Sequence, residues 1–190
     1  EKKVGLVWVD AHCDNVIVEE TERPDLRFVA VPLSTIAGQT MRDWGRDFCR
    51  MARPLTAGEI LLGDGHCSGA GEYENLARAG IDRVLPAEFA DTARWAARVQ
   101  ALADRVDAIY LMVDVDILRN EYIPAYFRPE PGGHALETVL GNVRAVMRTG
   151  KVLAFSCFCV DFDKYAQGGE TTFESGRQII EAGLAAWAET

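Results

Sequence analysis

The sequence has little positive charge and no long apolar run. It holds 20 Lys and Arg residues against 29 Asp and Glu residues, which gives a formal net charge of −9. Such an excess of negative charge argues against a surface that binds nucleic acid or an anionic membrane. No apolar stretch reaches the roughly 20 residues of a membrane-spanning helix. We therefore expect no nucleic-acid partner and no membrane partner.

Cysteines are few and irregularly spaced. The chain has five of them, an odd number, so a framework of disulfides is not expected. Reduced thiols are typical of the cytosol, and we predict a cytoplasmic location. The sequence also lacks internal repeats, low-complexity tracts and interdomain linkers. Because 190 residues are a normal size for one domain, we expect residues 1–190 to form a single domain.

Predicted strands alternate with predicted helices along the chain. Apolar runs of strand length and amphipathic runs of helical period follow one another. The strands are predicted at residues 4–9, 108–113 and 151–160, and the clearest helices at residues 91–106 and 135–148. Residues 27–33 are predicted to be extended and residues 38–53 helical. The alternation is typical of an α/β fold with a parallel sheet that is covered by helices on both faces.

Acidic residues follow all three of these buried strands. Asp10, His12 and Asp14 end the first strand, Asp114 and Asp116 end the second, and Asp161 and Asp163 follow the third. Residues two apart on an extended chain project the same way, so each set converges on one face if the extended conformation continues to Asp14. Ligands of parallel sheets bind beyond the carboxyl ends of the strands.

A divalent metal ion explains this pattern better than a structural role does. A lone DxD pair is typical of a helix cap or a solvated turn. Acids crowded at the ends of two buried strands are costly unless a cation compensates them. Carboxylates beside one imidazole favour manganese, iron or zinc over calcium. We therefore predict a metal site held by five residues: Asp10, His12, Asp14, Asp114 and Asp116.

Three motifs carry a resemblance to a known family. They are DAHCD at residues 10–14, VDVD at residues 113–116 and PEPGGH at residues 129–134. Together they resemble the arginase, agmatinase and formimidoylglutamase family, also called the ureohydrolases. The likeness covers nearly the whole chain. It implies a three-layer α/β/α fold with a mainly parallel sheet whose first strands are missing here, so that the chain would be a C-terminal fragment of the full domain.

The resemblance implies a binuclear manganese hydrolase that cleaves a C–N bond of a guanidino or amidino compound. The nucleophile would be a hydroxide between two Mn²⁺ ions. Asp10 and Asp114 would bridge the ions, Asp14 would serve one of them, and His12 and Asp116 would serve the other. The resemblance also implies a homo-oligomer, a trimer or a hexamer.

Three residues are the candidates for catalysis. Asp14 would act at the metal site. Asp161 lies in FCVDFD, where the family has the acid that grips the guanidinium group. His66 lies in a glycine-rich loop after a predicted strand, from which it could face the substrate. Each of these roles is an expectation.

The chain departs from the family pattern, and two alternatives stay open. The family's first metal-ligating histidine lies upstream of the DAHxD motif, but only nine residues precede Asp10 here. Val29-Ala30 stands where arginases carry the His-Gly pair with the proton-shuttling histidine. One alternative is a catalytically impaired family member with a regulatory or structural role. The other is a zinc deacetylase, which shares the general fold but normally has histidine pairs near its metal.

Overall fold

A parallel sheet of five strands lies at the centre of the protein, in the order β3-β2-β1-β4-β5. The computed structural model describes residues 2–22, 28–126, 130–160 and 169–190. The strands are β1 (Val4–Asp10), β2 (Ile60–Asp64), β3 (Arg83–Val84), β4 (Ala108–Asp114) and β5 (Val152–Phe158). The helices are α1 (Pro32–Ile36), α2 (Arg42–Asp47), α3 (Ala70–Ala79), α4 (Pro86–Ala90), α5 (Thr92–Ala103), α6 (Leu136–Met147) and α7 (Glu170–Trp187).

Alternate side chains of β1 belong to two different hydrophobic clusters. Leu6 and Trp8 pack in a cluster with residues of α1 and α3. Val7 and Val9 pack in a larger cluster with residues of α5, α6 and α7. Because successive side chains of a strand point to opposite faces, the two clusters lie on opposite sides of the sheet. The predicted α/β fold with helices on both faces of a parallel sheet is confirmed.

Local sequence signals set the helix ends. The Asp91 carboxylate caps α5 by accepting hydrogen bonds from the backbone N–H groups of Ala93 and Arg94, at 3.1 and 3.2 Å. Helix α3 ends at Gly80, whose φ of 70° lies in the left-handed region that glycine adopts easily. The helices predicted at residues 91–106 and 135–148 are α5 and α6.

Two predictions between β1 and β2 are wrong. Residues 28–30 form a single 3-10 turn and Pro32 begins α1, so the predicted extended piece is absent from the described part of residues 27–33. A proline at the first helical position favours the start of a helix. The apolar residues before Pro32 are equally typical of a strand and led to the wrong prediction. The helix predicted at residues 38–53 is reduced to α2, because Gly38 and Met41 adopt positive φ values of 68° and 47°.

The register of the sheet brings the acidic strand ends to one edge. Val9 of β1 pairs with Val113 of β4, and Asp10 pairs with Asp64 of β2. Asp114 therefore ends β4 beside the end of β1, at the edge where parallel sheets bind ligands. Among the described helices, none combines the length and the hydropathy that crossing a bilayer requires.

Candidate metal centre

The chain bends directly after β1. The extended conformation therefore does not continue to Asp14, which was the condition under which Asp10, His12 and Asp14 would share one face of a strand. The Asp10 carboxylate accepts a hydrogen bond from the His12 backbone N–H at 2.7 Å, a turn that aspartate side chains favour. Asp14 has a φ of 47°, and its carbonyl accepts a hydrogen bond from the Leu33 N–H at 3.0 Å. The acids converge through this turn and not through the pleat of a strand.

Asp10, His12 and Asp116 form a compact group of potential ligands. One atom from each, two carboxylate oxygens and one ring nitrogen, lie within 4.8 Å of one another. His12 Nδ1 lies 2.8 Å from Asp116 Oδ2 and 3.5 Å from Asp10 Oδ1. Asp10 and Asp116 are almost completely buried, at 1% and 2% exposure. The ring nitrogen and the two carboxylates therefore face a common point at the sheet edge.

Hydrogen bonds from neighbouring groups fix both carboxylates. Trp8 Nε1 donates to Asp10 Oδ2 at 3.2 Å. The Ala11 N–H donates to Asp116 Oδ1 at 3.1 Å, and the Tyr126 hydroxyl donates to Asp116 Oδ2 at 3.0 Å. Each acid is thus oriented before a ligand arrives, which lowers the cost of ordering the site on binding.

Asp14 and Asp114 add two more carboxyl groups to the electrostatics of this group. Asp114 ends β4, and its Oδ1 accepts a hydrogen bond from the Asp116 N–H at 2.9 Å. Burial, and then repulsion from Asp116, raise the pKa of Asp114 to about 6. Burial also raises the pKa of Asp14 to about 8, and repulsion from Asp114 and Asp116 adds to it against the attraction of His12.

The protons of the central group are distributed unevenly. Burial, and then repulsion from Asp116, raise the pKa of Asp10 well above its ordinary value. Burial also acts to raise the pKa of Asp116, but the hydrogen bond and the charge of His12, together with the hydrogen bonds from Ala11 and Tyr126, outweigh it and the pKa falls below its ordinary value. Hydrogen bonds to Asp10 and Asp116 raise the pKa of His12 to about 12. The raised pKa of His12 makes its imidazole a cation that lies between the carboxyl groups of Asp10 and Asp116.

A divalent cation fits this arrangement. Four acids and one imidazole are crowded at a mostly buried edge, where burial and, to a smaller extent, repulsion between the carboxylates raise the pKa values of Asp10, Asp14 and Asp114. A bound cation would replace those protons and relieve the repulsion. Asp10, His12 and Asp116 could hold one ion, and Asp14 and Asp114, which lie close enough to Asp10 to raise its pKa, could contribute to a second. Mixed carboxylate and imidazole donors suit manganese, iron or zinc.

A second group of polar residues lies beside the first, and the sequence reasoning missed its centre. Asp64 ends β2, is fully buried, and lies between two imidazoles. Its Oδ1 is 2.7 Å from His66 Nδ1, and its Oδ2 contacts His134 Nε2. Burial acts to raise the pKa of Asp64, but the hydrogen bonds with His134 and His66 outweigh it and the pKa falls below its ordinary value. The hydrogen bond with Asp64 raises the pKa of His66.

The structure brings most of the sequence-predicted site residues together. Ligand atoms of Asp10, His12 and Asp116 lie within 4.8 Å of one another, and Asp14 and Asp114 lie close enough to raise the pKa of Asp10. His66 has both ring nitrogens engaged, Nδ1 with Asp64 and Nε2 with the Pro131 carbonyl oxygen at 2.9 Å. Asp161 lies outside the described residues. The roles of these residues in catalysis and metal binding stay predictions.

Sequence reasoning also missed three residues that contact the central group: Trp8, Tyr126 and Glu130. Trp8 was assigned only to the strand, although a residue two positions before Asp10 projects from the same face. Tyr126 and Glu130 lie in the long connection between β4 and α6, where no periodicity indicates which side chains turn inward. Asp64 did carry a signal, because it is an acid at the end of the buried strand β2, but the glycines on either side of it, Gly63 and Gly65, indicate a loop.

Known proteins match the chain over nearly all of its length. The sequence model of the Arginase family matches residues 1–183. The arginase of Eremothecium gossypii is 28% identical over 158 residues, which cover 79% of this chain and 38% of that protein. The arginase of Bacillus caldovelox has a similar structure, with a TM-score of 0.83 at 17% identity over 99% of this chain and 61% of that one. Formimidoylglutamase from Bacillus subtilis superposes with a TM-score of 0.73 at 13% identity, over 97% of this chain and 53% of that one. The chain spans less than two thirds of the length of each of these proteins. Because the family's sequence model matches residues 1–183, the chain belongs to the arginase family.

Proposed function

We propose that the chain carries the metal-binding and catalytic part of a hydrolase that cleaves a C–N bond of a guanidino or amidino compound. The observation that supports this most is the group formed by Asp10, His12 and Asp116 at the carboxyl edge of an arginase-like sheet. The proteins it resembles are named arginase and formimidoylglutamase. The proposed substrate is therefore a small molecule with a planar, cationic amidino or formimino group.

The proposed cofactor is a pair of Mn²⁺ ions. When bound, two divalent cations lower the pKa of a shared water and supply a nucleophile at neutral pH. Asp10 and Asp114 would bridge the ions, His12 and Asp116 would complete one position, and Asp14 would serve the other. Trp8 and Tyr126 would keep the carboxylates of Asp10 and Asp116 oriented through their hydrogen bonds.

The negative field of the site suits the substrate. Carboxylates attract a guanidinium cation and can hold its planar group in the orientation that attack on its carbon requires, and the site is surrounded by acids. Asp161 is the proposed acid for this contact. The proposed assembly is a trimer or a hexamer, as the resemblance implies.

A second candidate function is a family member that binds metal without turnover. One observation favours it. In the described ranges, Asp10, His12 and Asp116 form the one group of three ligand atoms that lie within 4.8 Å of one another, and such a group is enough to hold a single ion. Such a chain would keep the fold and one ion in a regulatory or structural role.

An activity screen with metal analysis separates the two candidates. The protein is loaded with Mn²⁺ and incubated with arginine, agmatine, guanidinobutyrate and formiminoglutamate, and the release of urea or formamide is measured. The hydrolase proposal predicts release that depends on Mn²⁺ and is abolished in Asp116→Asn. Stoichiometric Mn²⁺ without release of either product from any compound would support the second candidate instead.

A further inference from the structure

The imidazole of His12 has two ring nitrogens, and only one of them faces the other proposed ligands. Nδ1 faces Asp116 and Asp10. Nε2 points the other way and lies 3.3 Å from Glu130 Oε1. The side chain of Glu130 is only 12% exposed, so its carboxylate is packed against His12 and is largely shielded from solvent.

An imidazole that binds a metal through Nδ1 keeps its proton on Nε2. A carboxylate that faces Nε2 fixes this tautomer and the orientation of the ring, and it makes Nδ1 a better electron donor. We propose that Glu130 is a positioning residue that holds His12 with Nδ1 turned toward the metal site. This inference rests on the proposed metal centre and adds to it a residue that lies outside the predicted ligand set.

Glu130 can act in this way because the segment that carries it is fastened at several points. His66 Nε2 lies 2.9 Å from the Pro131 carbonyl oxygen, and His66 Nδ1 contacts Asp64. His134 contacts the other oxygen of Asp64, and its backbone N–H donates to the Ile117 carbonyl at 2.9 Å. The segment from Glu130 to His134 is therefore tied both to the end of β2 and to the turn that follows β4.

The backbone of this segment also requires glycine. Gly133 has a φ of 85°, and a Cβ atom there would lie 2.7 Å from the Leu118 backbone carbon and oxygen. The segment thus packs directly against the backbone at Leu118, which follows Asp114 and Asp116 in the chain. We infer that Asp64 and His66 anchor Glu130, and that His66 influences the metal site through position.

Metal affinity and an NMR signal of the histidine ring test the proposal. Mn²⁺ binding is measured by EPR for the wild type, Glu130→Ala and Glu130→Gln. The matched control is Glu121→Ala, which removes the same charge from the same connection, where Glu121 is 61% exposed and paired with Arg119. We expect Glu130→Ala to weaken Mn²⁺ binding by about 10–100-fold, as is typical for partners of metal-bound histidines. Glu130→Gln should fall between Glu130→Ala and the wild type, because its amide oxygen can still accept from Nε2–H.

The NMR measurement reports the contact without a metal. The chain has only three histidines, so their ring N–H signals can be assigned by substitution. In the metal-free wild type, the His12 Nε2–H should be protected from exchange with water, and the protection should be lost in Glu130→Ala but kept in Glu121→Ala. A purely structural role of Glu130 would change the melting temperature without this selective loss.

The outcomes distinguish this inference from the proposed function. Mn²⁺ affinity that is equal in the wild type and Glu130→Ala overturns the inference and leaves the hydrolase proposal intact. A wild type that takes up no Mn²⁺ overturns the proposed function, and with it the metal-orienting role of Glu130. His66→Ala should also weaken Mn²⁺ binding, and unchanged affinity in that variant would overturn the anchoring role of His66.

Discussion

Replacing Asp116 by Asn removes one charge from the metal centre and preserves the shape of the side chain. The amide oxygen of Asn can still accept the hydrogen bond that Ala11 N–H gives to Asp116 Oδ1. The group that faces His12 Nδ1 at 2.8 Å loses its negative charge. The change therefore acts on the proposed metal ligand with little effect on the packing around it.

The expected loss can be worked out from binding linkage. A metal present at about 100 times its Kd stabilises the folded state by about 2.7 kcal/mol. Removing the orienting partner of a metal-bound ligand typically weakens binding by about 10–100-fold, and we take 100-fold as the minimum for the ligand itself. At the same Mn²⁺ concentration, the stabilisation of Asp116→Asn would then be only about 0.4 kcal/mol.

Thermal unfolding followed by circular dichroism measures this difference. For a domain of this length, 1 kcal/mol corresponds to roughly 2–4 °C in Tm. Mn²⁺ should raise the Tm of the wild type by roughly 5–11 °C over its value in EDTA, and that of Asp116→Asn by about 1–2 °C. The control is Asp104→Asn, which removes an exposed acid near the end of α5 that accepts a hydrogen bond from Gln100 Nε2. An equal Mn²⁺ shift in Asp116→Asn and Asp104→Asn would mean that Asp116 does not bind the metal.

Two further predictions concern pH and backbone conformation. Because burial raises the pKa of Asp14 to about 8 and that of Asp114 to about 6, the metal-free folded chain binds more protons than the unfolded chain between the ordinary value of 3.8 and about 8. The contribution of these two groups to the free energy of unfolding should therefore fall as pH rises through this window, which urea denaturation at several pH values measures. Mn²⁺ binding should tighten over the same window and release protons, which calorimetry in two buffers measures. Gly80→Ala should cost about 1 kcal/mol for its left-handed conformation. Gly133→Ala should lower the free energy of unfolding by more than this and should also weaken Mn²⁺ binding, because its Cβ would clash with the Leu118 backbone, whereas a Cβ at Gly80 would make an ordinary van der Waals contact. Equal losses of the two variants in urea denaturation would contradict this.

Periodicity and strand ends were enough to predict the architecture. The apolar runs before Asp10 and Asp114 became β1 and β4, neighbours in the sheet, because buried parallel strands read as continuous apolar segments. Helices α5 and α6 followed from their amphipathic patterns. These features depend on local sequence and on general rules of parallel sheets, which a single sequence contains.

The finer geometry of the site depends on contacts between distant residues. Asp14 reaches the other acids through a left-handed turn, which the alternation of a strand does not predict. Glu130 meets His12 because contacts with Asp64 and His66 hold its segment in place, across more than sixty residues of sequence. Such pairings follow from tertiary packing, and no local pattern in the chain indicates them.

Anomalous diffraction at the manganese edge, from crystals grown with Mn²⁺, would show directly whether an ion binds at the end of β1. We expect a peak between the Asp10 carboxylate, His12 Nδ1 and Asp116, with the His12–Asp116 contact replaced by bonds to the ion. An anomalous map without a peak at this edge of the sheet, with His12 Nδ1 still directly on Asp116, would contradict this expectation.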